Sequence, residues 1–377
     1  MKFMKFFVAI ILPLLIASPS FSSDKTTGPM WLEIPDSRLD SVAYDWAPAP
    51  VPGHFPGIIS AWSGAAFDSS ENQLIIMGGG HGDYGGQELY AFDLNSLTWS
   101  RISEPETYEA LDLACTHGGR TDNNLPKAMH TYDGLEYIPY LNSVCDTRAS
   151  VGYKNCRGVP EMACFDLEEK TWNWLHSPIK VGWSTRAGAL HQETGEWWVQ
   201  GGGYNPGNFP APPARLGRYI PKEDRWEYGA YDNVMADYNK IAEIDPTRNL
   251  FVLAHAGSLY AFDLATFSPG KTKLKNHPQP TTGATEILSL SSRMGLAYDP
   301  VGDRMVAWAG GADVFYLNLD TWHWTKETPQ GAVPTPAAKA GTFGRFAYSS
   351  ESDKFIVVNS VRENVYMLDL GRKGAIE

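Results

Sequence analysis

The sequence has little charge and no excess of positive charge. Only 20% of its 377 residues are charged, acidic residues outnumber basic ones by 43 to 31, and the formal net charge is -12. A protein that follows nucleic-acid phosphates normally carries a basic face, so this composition excludes nucleic acid as the expected partner. The 43% of hydrophobic residues excludes a disordered chain and predicts a sizeable core.

Long apolar runs are missing after the first residues. Residues 6–16 are apolar, follow Lys2 and Lys5, and precede a stretch of small residues, which is the pattern of a secretory signal. The run is too short to cross a bilayer comfortably, and no later run reaches about 18 apolar residues. We therefore expect a signal peptide over 1–23, one domain over 24–377, and an exported, periplasmic or extracellular protein without a membrane span.

The common catalytic signatures are also missing. The sequence contains no G-x-S-x-G elbow, no H-E-x-x-H pair and no phosphate-binding P-loop. The paired carboxylates of a glycosidase cannot be recognised among 43 acidic residues by spacing alone. Any catalytic group must therefore be sought by its position in the fold.

Cysteine is scarce, and all four cysteines lie between positions 115 and 164. Export permits disulfides. Cys145 and Cys164 lie on strand-like runs that a loop would fold back on each other, so we predict that they pair and that Cys115 pairs with Cys156. The alternative for Cys115 is a zinc site shared with His117. We predict no cofactor, with a structural zinc or calcium ion left open.

What the sequence does contain is glycine, proline and aromatic residues, with 36 Gly, 26 Pro and 12% aromatics. This composition favours short strands and tight turns. A phrase of two apolar runs separated by a turn recurs six times. The copies begin at positions 64, 134, 188, 241, 295 and 346.

Each copy is followed by a third strand-like run, and in four copies a Trp follows seven residues after an apolar position of that run. The last copy leaves no room for a fourth strand. Residues 29–35 have the Trp and the alternating apolar pattern of a fourth strand, but no first three strands precede them. A ring explains both observations. If the N-terminal strand completes the last sheet, the chain ends meet and no sheet edge stays open.

The apolar run, the double glycine and the aromatic residue before a Trp resemble the kelch-type β-propellers. Three copies keep the glycines, at 78–80, 201–203 and 310–311. The resemblance implies an all-β propeller closed by the N-terminal strand, with six blades, or seven if residues 266–290 contain a degenerate blade. It implies no single function, because propellers carry enzymes and binding scaffolds alike.

In a propeller, ligands usually bind on the face where the innermost strands begin and where the second strand leads into the third. Candidates for proton transfer on that face are His81, Tyr84, His130 and Tyr132, with Asp83 beside them. Candidates for substrate binding on the same face come from several repeats. They are Trp62, Arg148, Arg186, Tyr204, Asn205, His255, Arg293 and Arg345.

The four arginines in that set come from different repeats and map to one rim. Arginine is suited to bidentate binding of carboxylate or sulfate, so the rim predicts an anionic ligand. The structural alternative is that two or more of them pair with Asp or Glu between blades.

Secretion, a propeller and a rim of His, Tyr and Arg resemble the propeller-fold polysaccharide lyases such as ulvan lyases. The resemblance implies β-elimination on a uronic-acid polysaccharide by a monomer. The alternatives are a non-catalytic module that binds an anionic glycan or a protein, and a sugar isomerase similar to the kelch-type sialic acid epimerase. A galactose-oxidase-like copper enzyme is disfavoured, because its Tyr–Cys crosslink would need a cysteine that disulfides explain better.

Overall fold

The computed structural model describes residues 28–46, 51–112, 120–147, 151–157, 161–176, 186–201, 215–230, 239–273 and 277–372, with the backbone alone at 43–46, 151, 155–157 and 176. These residues form six blade sheets, one separate two-stranded sheet and their loops. Each repeat of the sequence corresponds to one sheet, as predicted.

The first three sheets, blades 1 to 3, each have four antiparallel strands in a meander. The N-terminal strand β1 (Met30–Glu33) belongs to another blade. Blade 1 contains β2 (Ala65–Asp68), β3 (Gln73–Ile76), β4 (Tyr90–Asp93) and β5 (Thr98–Arg101). Blade 2 contains β6 (Leu135–Ile138), β7 (Ser143–Asp146), β10 (Glu161–Asp166) and β11 (Trp172–His176), with a small hairpin of β8 (Val151–Gly152) and β9 (Cys156–Arg157) between β7 and β10. Blade 3 contains β12 (Ala187–His191), β13 (Glu196–Gly201), β14 (Arg215–Ile220) and β15 (Arg225–Tyr228).

The remaining blades depart from this pattern. Blade 4 has three strands among the described residues, and blades 5 and 6 have five. Blade 4 contains β16 (Ile241–Asp245), β17 (Leu250–His255) and β18 (Ser258–Asp263). Blade 5 contains β20 (Gly295–Asp299), β21 (Arg304–Trp308), β22 (Val314–Asn318) and β23 (His323–Glu327), with β19 (Thr282–Gly283) on its outer edge. Blade 6 contains β25 (Phe346–Ser349), β26 (Lys354–Val357), β27 (Tyr366–Asp369), β1 and β24 (Gln330–Gly331). The described residues among 266–290 supply β19 and a 3-10 turn and form no seventh blade.

Helices are short and lie outside the blades. They are α1 (Leu39–Trp46), α2 (Gly57–Ser60) and α3 (Tyr108–Asp112), with 3-10 turns at Pro139–Leu141, Tyr153–Asn155, Pro221–Glu223, Leu264–Thr266, Thr285–Leu290 and Phe343–Arg345. Among the described residues, none of these helices has the length and apolar character needed to cross a bilayer.

The ring is closed by the N-terminal strand. β1 pairs antiparallel with β27, so that Trp31 lies opposite Leu368, and it also carries β24 on its other side. Trp31 is buried against Trp308 of blade 5, and its indole Nε1 donates to the carbonyl of Ala312. The innermost strands β2, β6, β12, β16, β20 and β25 contact one another in turn around a central channel. The predicted six-bladed all-β propeller and its closure are therefore present.

The core is divided among the gaps between blades. Alternate residues of each strand point to opposite faces of their sheet, so each blade buries an apolar layer against each neighbour. The described residues form six hydrophobic clusters, and each cluster fills one gap between adjacent blades. Burial of these layers fixes the register of every inner strand and hence the position of the loops that precede it.

The predicted disulfide between Cys145 and Cys164 is present. The two residues are direct partners across β7 and β10, and both are buried in the gap between blades 2 and 3. Cys115 lies outside the described residues, and only the backbone of Cys156 is described, so the second predicted pair stays a prediction.

Candidate functional site

One face of the ring, the mouth face, is built from two kinds of loop. The loops that precede the inner strands, here called leading loops, lie beside the loops that join second and third strands. Three leading loops carry an aromatic residue in the left-handed region, namely Trp62 (φ 50°), Tyr132 (φ 48°) and Phe343 (φ 51°). Bulky residues rarely adopt positive φ, and such conformations persist where the surroundings hold them in place.

Adjacent leading loops are bonded directly to each other. The N–H of Tyr132 donates to the carbonyl of Trp62 at 2.7 Å, and the N–H of Gly64 donates to the hydroxyl of Thr131 at 2.8 Å. A Cβ on Gly64 would lie 2.1 Å from the carbonyl oxygen of Tyr132, so this approach requires glycine. The rings of Tyr132 and Phe343 then meet edge to face, with centroids 5.7 Å apart.

His130 occupies the centre of this arrangement. Its ring lies between Trp62, at 4.9 Å between centroids, and His81, which is stacked on it at 5.8 Å. The ring of Tyr132 meets it edge-on at 5.9 Å, and its Nε2 lies 3.3 Å from Oδ2 of Asp83. We call the group of Trp62, His81, Asp83, His130 and Tyr132 the mouth cluster.

The loop that carries His81 and Asp83 is held by backbone contacts. The N–H of Gly80 donates to the carbonyl of Tyr84 at 2.7 Å, and the carbonyl of His81 accepts from the N–H of Lys154 in blade 2 at 2.8 Å. A Cβ on Gly80 would lie 2.7 Å from the Cα of Met129, so this glycine permits the loop to approach His130 closely. His81 is exposed, whereas His130 is buried, with 7% of its surface accessible.

Burial sets the protonation of His130. Desolvation lowers the pKa of His130, Asp83 acts in the opposite direction, and His81 adds a smaller lowering effect. The net shift is downward from 6.5, so the ring is neutral at neutral pH. A carboxylate can only accept, so Nε2–H of His130 donates to Oδ2 of Asp83, and Nδ1 is the basic nitrogen of that ring.

Tyr84 is directed into the protein. Its side chain is 3% exposed, and its hydroxyl donates to Oε1 of Glu88, which also accepts from the hydroxyl of Tyr90 at 3.2 Å. Burial, followed by the charge of Glu88, raises the pKa of Tyr84 well above its usual value. This buried network packs beneath the glycine-rich loop and supports it, a role that no sequence pattern predicts.

The structure gives Arg345 a bonding role inside the ring. Its side chain is fully buried, and its guanidinium donates to the carbonyls of Ser63, Gly341 and Val358, which joins the leading loop of blade 1 to blade 6. Burial lowers the pKa of Arg345 to about 9. The partners are backbone carbonyls, so neither a rim ligand nor an acidic partner between blades accounts for these bonds.

The other predicted binding residues are spread around the face. Arg186 is buried and donates to the carbonyl of Thr147 at 2.7 Å, and burial lowers its pKa to about 10. Arg293 is exposed, and His255 is buried at the end of β17. Arg148, Tyr204 and Asn205 lie outside the described residues.

The channel itself carries carboxylates that the repeat pattern did not single out. Glu136 of β6 and Glu243 of β16 accept backbone N–H groups of Tyr137 and Ile244, at 3.1 and 2.8 Å. Desolvation raises the pKa of Glu136 well above its usual value and that of Glu243 to about 7. The sequence could have indicated these two carboxylates only through their position in the middle of an inner strand.

No group of three or more His, Cys, Asp or Glu side chains within the described ranges is arranged to hold a metal ion. No protein-family profile and no curated protein sequence matches the chain.

A solved structure does match in fold. The crystal structure of an auxiliary nutrient binding protein from Bacteroides thetaiotaomicron VPI-5482 superposes with a TM-score of 0.50 at 9% sequence identity, over 91% of this chain and 77% of that chain. The chain is a six-bladed β-propeller. At this identity the similarity concerns the fold alone.

Proposed function

We propose that the mouth cluster binds an acidic carbohydrate and removes a proton from it, as in a polysaccharide lyase that works by β-elimination. The observation that carries the proposal is the position of His130, a neutral imidazole held by Asp83 and enclosed by Trp62 and His81. A base that is neutral at working pH and oriented by a carboxylate has the properties that general-base catalysis requires.

The residues of the cluster can be given roles in that reaction. Nδ1 of His130 takes the C5 proton of a uronate, and the C–H electron pair becomes the C4–C5 double bond. The C4–O bond to the leaving sugar breaks, and the departing oxygen receives the hydroxyl proton of Tyr132. Transfer of the C5 proton from His130 to the Tyr132 oxygen restores the site. Trp62 is partly exposed and provides a surface on which a sugar ring can stack.

Tyr132 is preferred to Tyr84 as the acid. Tyr132 contacts the His130 ring edge-on, and Tyr84 donates its hydroxyl proton to the buried Glu88. His81 is the alternative base, because it is exposed and stacked on His130.

The test is a split between binding and turnover. In His130→Asn, elimination on polymers of glucuronate, galacturonate or mannuronate should be lost, while affinity measured by calorimetry should stay within about threefold, because a proton-transfer group acts mainly in the transition state. His191→Asn is the matched control, since His191 is a buried histidine at the end of β12, on the opposite face, bonded to Asn249. Full turnover by His130→Asn, or loss of turnover in both variants, would contradict the assignment.

A second candidate is a binding protein without catalysis. It is favoured by the stacking surface at Trp62 and by the fold neighbour, which is described as a nutrient binding protein. Binding of uronate polymers by the wild type with no product would support this candidate. A sugar isomerase would use the same proton removal and would form no double bond.

We also propose that the protein is exported. The support is the leader-like segment over 1–23 together with the disulfide between Cys145 and Cys164, since disulfides persist in oxidising compartments.

A further inference from the structure

The Thr131 hydroxyl lies between two segments of blade 1. Thr131 stands between His130 and Tyr132 in the leading loop of blade 2, and it is 4% exposed. Its Oγ1 accepts the N–H of Gly64 at 2.8 Å and donates to the carbonyl of Met77 at 3.3 Å. One hydroxyl therefore uses both its donor and its acceptor capacity on the neighbouring blade.

The two segments that it bonds carry the rest of the mouth cluster. Gly64 follows Trp62 by two residues in the leading loop of blade 1. Met77 follows β3 and leads into the glycine-rich loop that carries His81 and Asp83. The Thr131 hydroxyl thus connects the three segments from which the mouth cluster is built.

The leading loop of blade 1 is also held from its other side. Nε of Arg345, a residue of blade 6 with no exposed surface, donates to the carbonyl of Ser63 at 2.9 Å. The hydroxyl of Ser63 accepts the N–H of Gly79 in the glycine-rich loop at 3.2 Å. Because these bonds fix the loop that carries Gly64, the Thr131 hydroxyl is attached to a well-held partner.

The backbone on both sides of this contact is strained. Trp62 and Tyr132 adopt φ angles of 50° and 48°, and such conformations persist only where surrounding contacts hold them. Three hydrogen bonds connect these segments: the bond from the N–H of Tyr132 to the carbonyl of Trp62 and the two bonds of the Thr131 hydroxyl. Without the hydroxyl, one of these three bonds remains, and the loop beside His130 can relax.

The geometry around His130 is sensitive to such a movement. Its Nε2 lies 3.3 Å from Oδ2 of Asp83, which is already long for a hydrogen bond to a carboxylate. Its ring lies 4.9 Å from that of Trp62, between centroids. A misplacement of about 1 Å in a catalytic group can cost roughly a hundredfold in rate. The position of the loop therefore matters to the imidazole directly.

We propose that Thr131 is a positioning residue, whose hydroxyl holds the His130 imidazole against Asp83 and Trp62. Thr131 acts through His130 and takes no part in proton transfer. Its effect on turnover rests on the proposed function of the mouth cluster, whereas the position of the imidazole is a property of the protein alone.

The test removes the hydroxyl and observes the His130 imidazole by NMR. Thr131→Val lacks the hydroxyl at nearly constant size, and Thr131→Ser keeps it. Long-range proton–nitrogen spectra report the rings of the nine histidines, and His130→Asn identifies the His130 signal by its loss. In Thr131→Val we expect the ring-current shift from Trp62 to change and the pKa of His130 to rise toward 6.5, because the ring loses part of its burial. Thr131→Ser should keep the wild-type signals.

Turnover gives a second measurement on a uronate polymer that the wild type cleaves. In Thr131→Val, kcat should fall about tenfold while KM stays within about threefold, because the base is misplaced and the binding surface is retained. The acid limb of the pH–rate profile should move to higher pH, following the pKa of His130. Thr131→Ser should restore both quantities.

Thr121→Val is the matched control. Thr121 is 3% exposed, and its hydroxyl accepts the N–H of Leu125 at 3.1 Å in a turn outside the mouth cluster. This variant should lose some thermal stability and leave the His130 signals and kcat unchanged. Should Thr131→Val fail to fold, Thr131→Ala supplies the result.

The positioning role would be overturned by wild-type His130 signals in Thr131→Val, or by equal changes in Thr131→Ser or Thr121→Val. Failure of both hydroxyl-free variants to fold would also overturn it, because the hydroxyl would then be required for the fold itself. Absence of unsaturated product from the wild type would contradict the proposed function, and the NMR comparison would still decide the role of Thr131.

Discussion

Oδ2 of Asp83 lies 3.3 Å from Nε2 of His130, and the two residues come from different blades. Asp83 belongs to the glycine-rich loop of blade 1, and His130 belongs to the leading loop of blade 2. The contact is formed only when the two blades are packed side by side, so the candidate catalytic pair depends on the ring as a whole.

Asp83→Asn should lower the rate of elimination at neutral pH and shift the acid limb of the pH–rate profile to lower pH. Asp83 raises the pKa of His130 against the effect of burial, so its removal lowers that pKa further. The base form of His130 then persists to lower pH, and the acid limb of the pH–rate profile shifts downward. The maximal rate falls by roughly tenfold to a hundredfold, because the imidazole loses its orientation. An unshifted acid limb would show that Asp83 does not influence the group that acts as the base.

Trp31→Ala should destabilise the ring strongly. Trp31 is 1% exposed, packs on Trp308 and donates to Ala312, so truncation leaves a cavity at the closure of blades 5 and 6. We expect a loss of about 4 kcal/mol in the free energy of unfolding, measured by denaturant titration. Tyr140→Ala is the control, because Tyr140 is 59% exposed and should cost well under 1 kcal/mol. Similar losses in both variants would contradict closure through β1.

Removal of the buried disulfide should weaken the protein without changing its fold. Cys145 and Cys164 close a segment of sequence separation 19, and a bridge of that length typically contributes about 3 kcal/mol. The double variant Cys145→Ala, Cys164→Ala should lose an amount of that order in denaturant titration and keep its circular dichroism spectrum. Peptide mapping without reductant should recover the Cys145–Cys164 pair in the wild type, and recovery of either cysteine in another pair would be contrary to the structure.

Glu243→Gln should stabilise the protein at alkaline pH. The folded-state pKa of Glu243 is raised from 4.5 to about 7, so its favourable contribution is complete below about pH 4.5 and is lost as pH rises through about 7. At about pH 8 the variant should therefore gain on the order of 2 kcal/mol over the wild type, and at about pH 5 the difference should be smaller. Glu351→Gln, at an exposed turn, should show no such pH dependence. An equal gain at both pH values would argue against a buried charge in the channel.

The sequence predicted the architecture well because the fold rests on a repeated local pattern. Two apolar runs around a turn specify adjacent strands, and the unmatched strand at residues 29–35 predicted the pairing of β1 with β27. Cys145 and Cys164 were predicted to pair from the same strand alignment, and the structure has them directly opposite. Pattern and register carry this information without knowledge of side-chain contacts.

The site was less accessible to sequence reasoning. His81 and His130 were brought to one face by topology, but the left-handed residues Trp62, Tyr132 and Phe343, which set the ring positions, follow no sequence rule that favours them. Arg345 maps to the same rim by position, and only the loop conformation turns it toward backbone carbonyls of blades 1 and 6.

We propose above that the mouth cluster performs β-elimination on a uronate polymer. The most direct test is the ultraviolet absorbance of the unsaturated product when the wild type and His130→Asn are incubated with the same uronic-acid polysaccharides. We expect rising absorbance with the wild type and none with the variant on a polymer that both proteins bind. Binding by the wild type with no absorbance change on any of these polymers would contradict it.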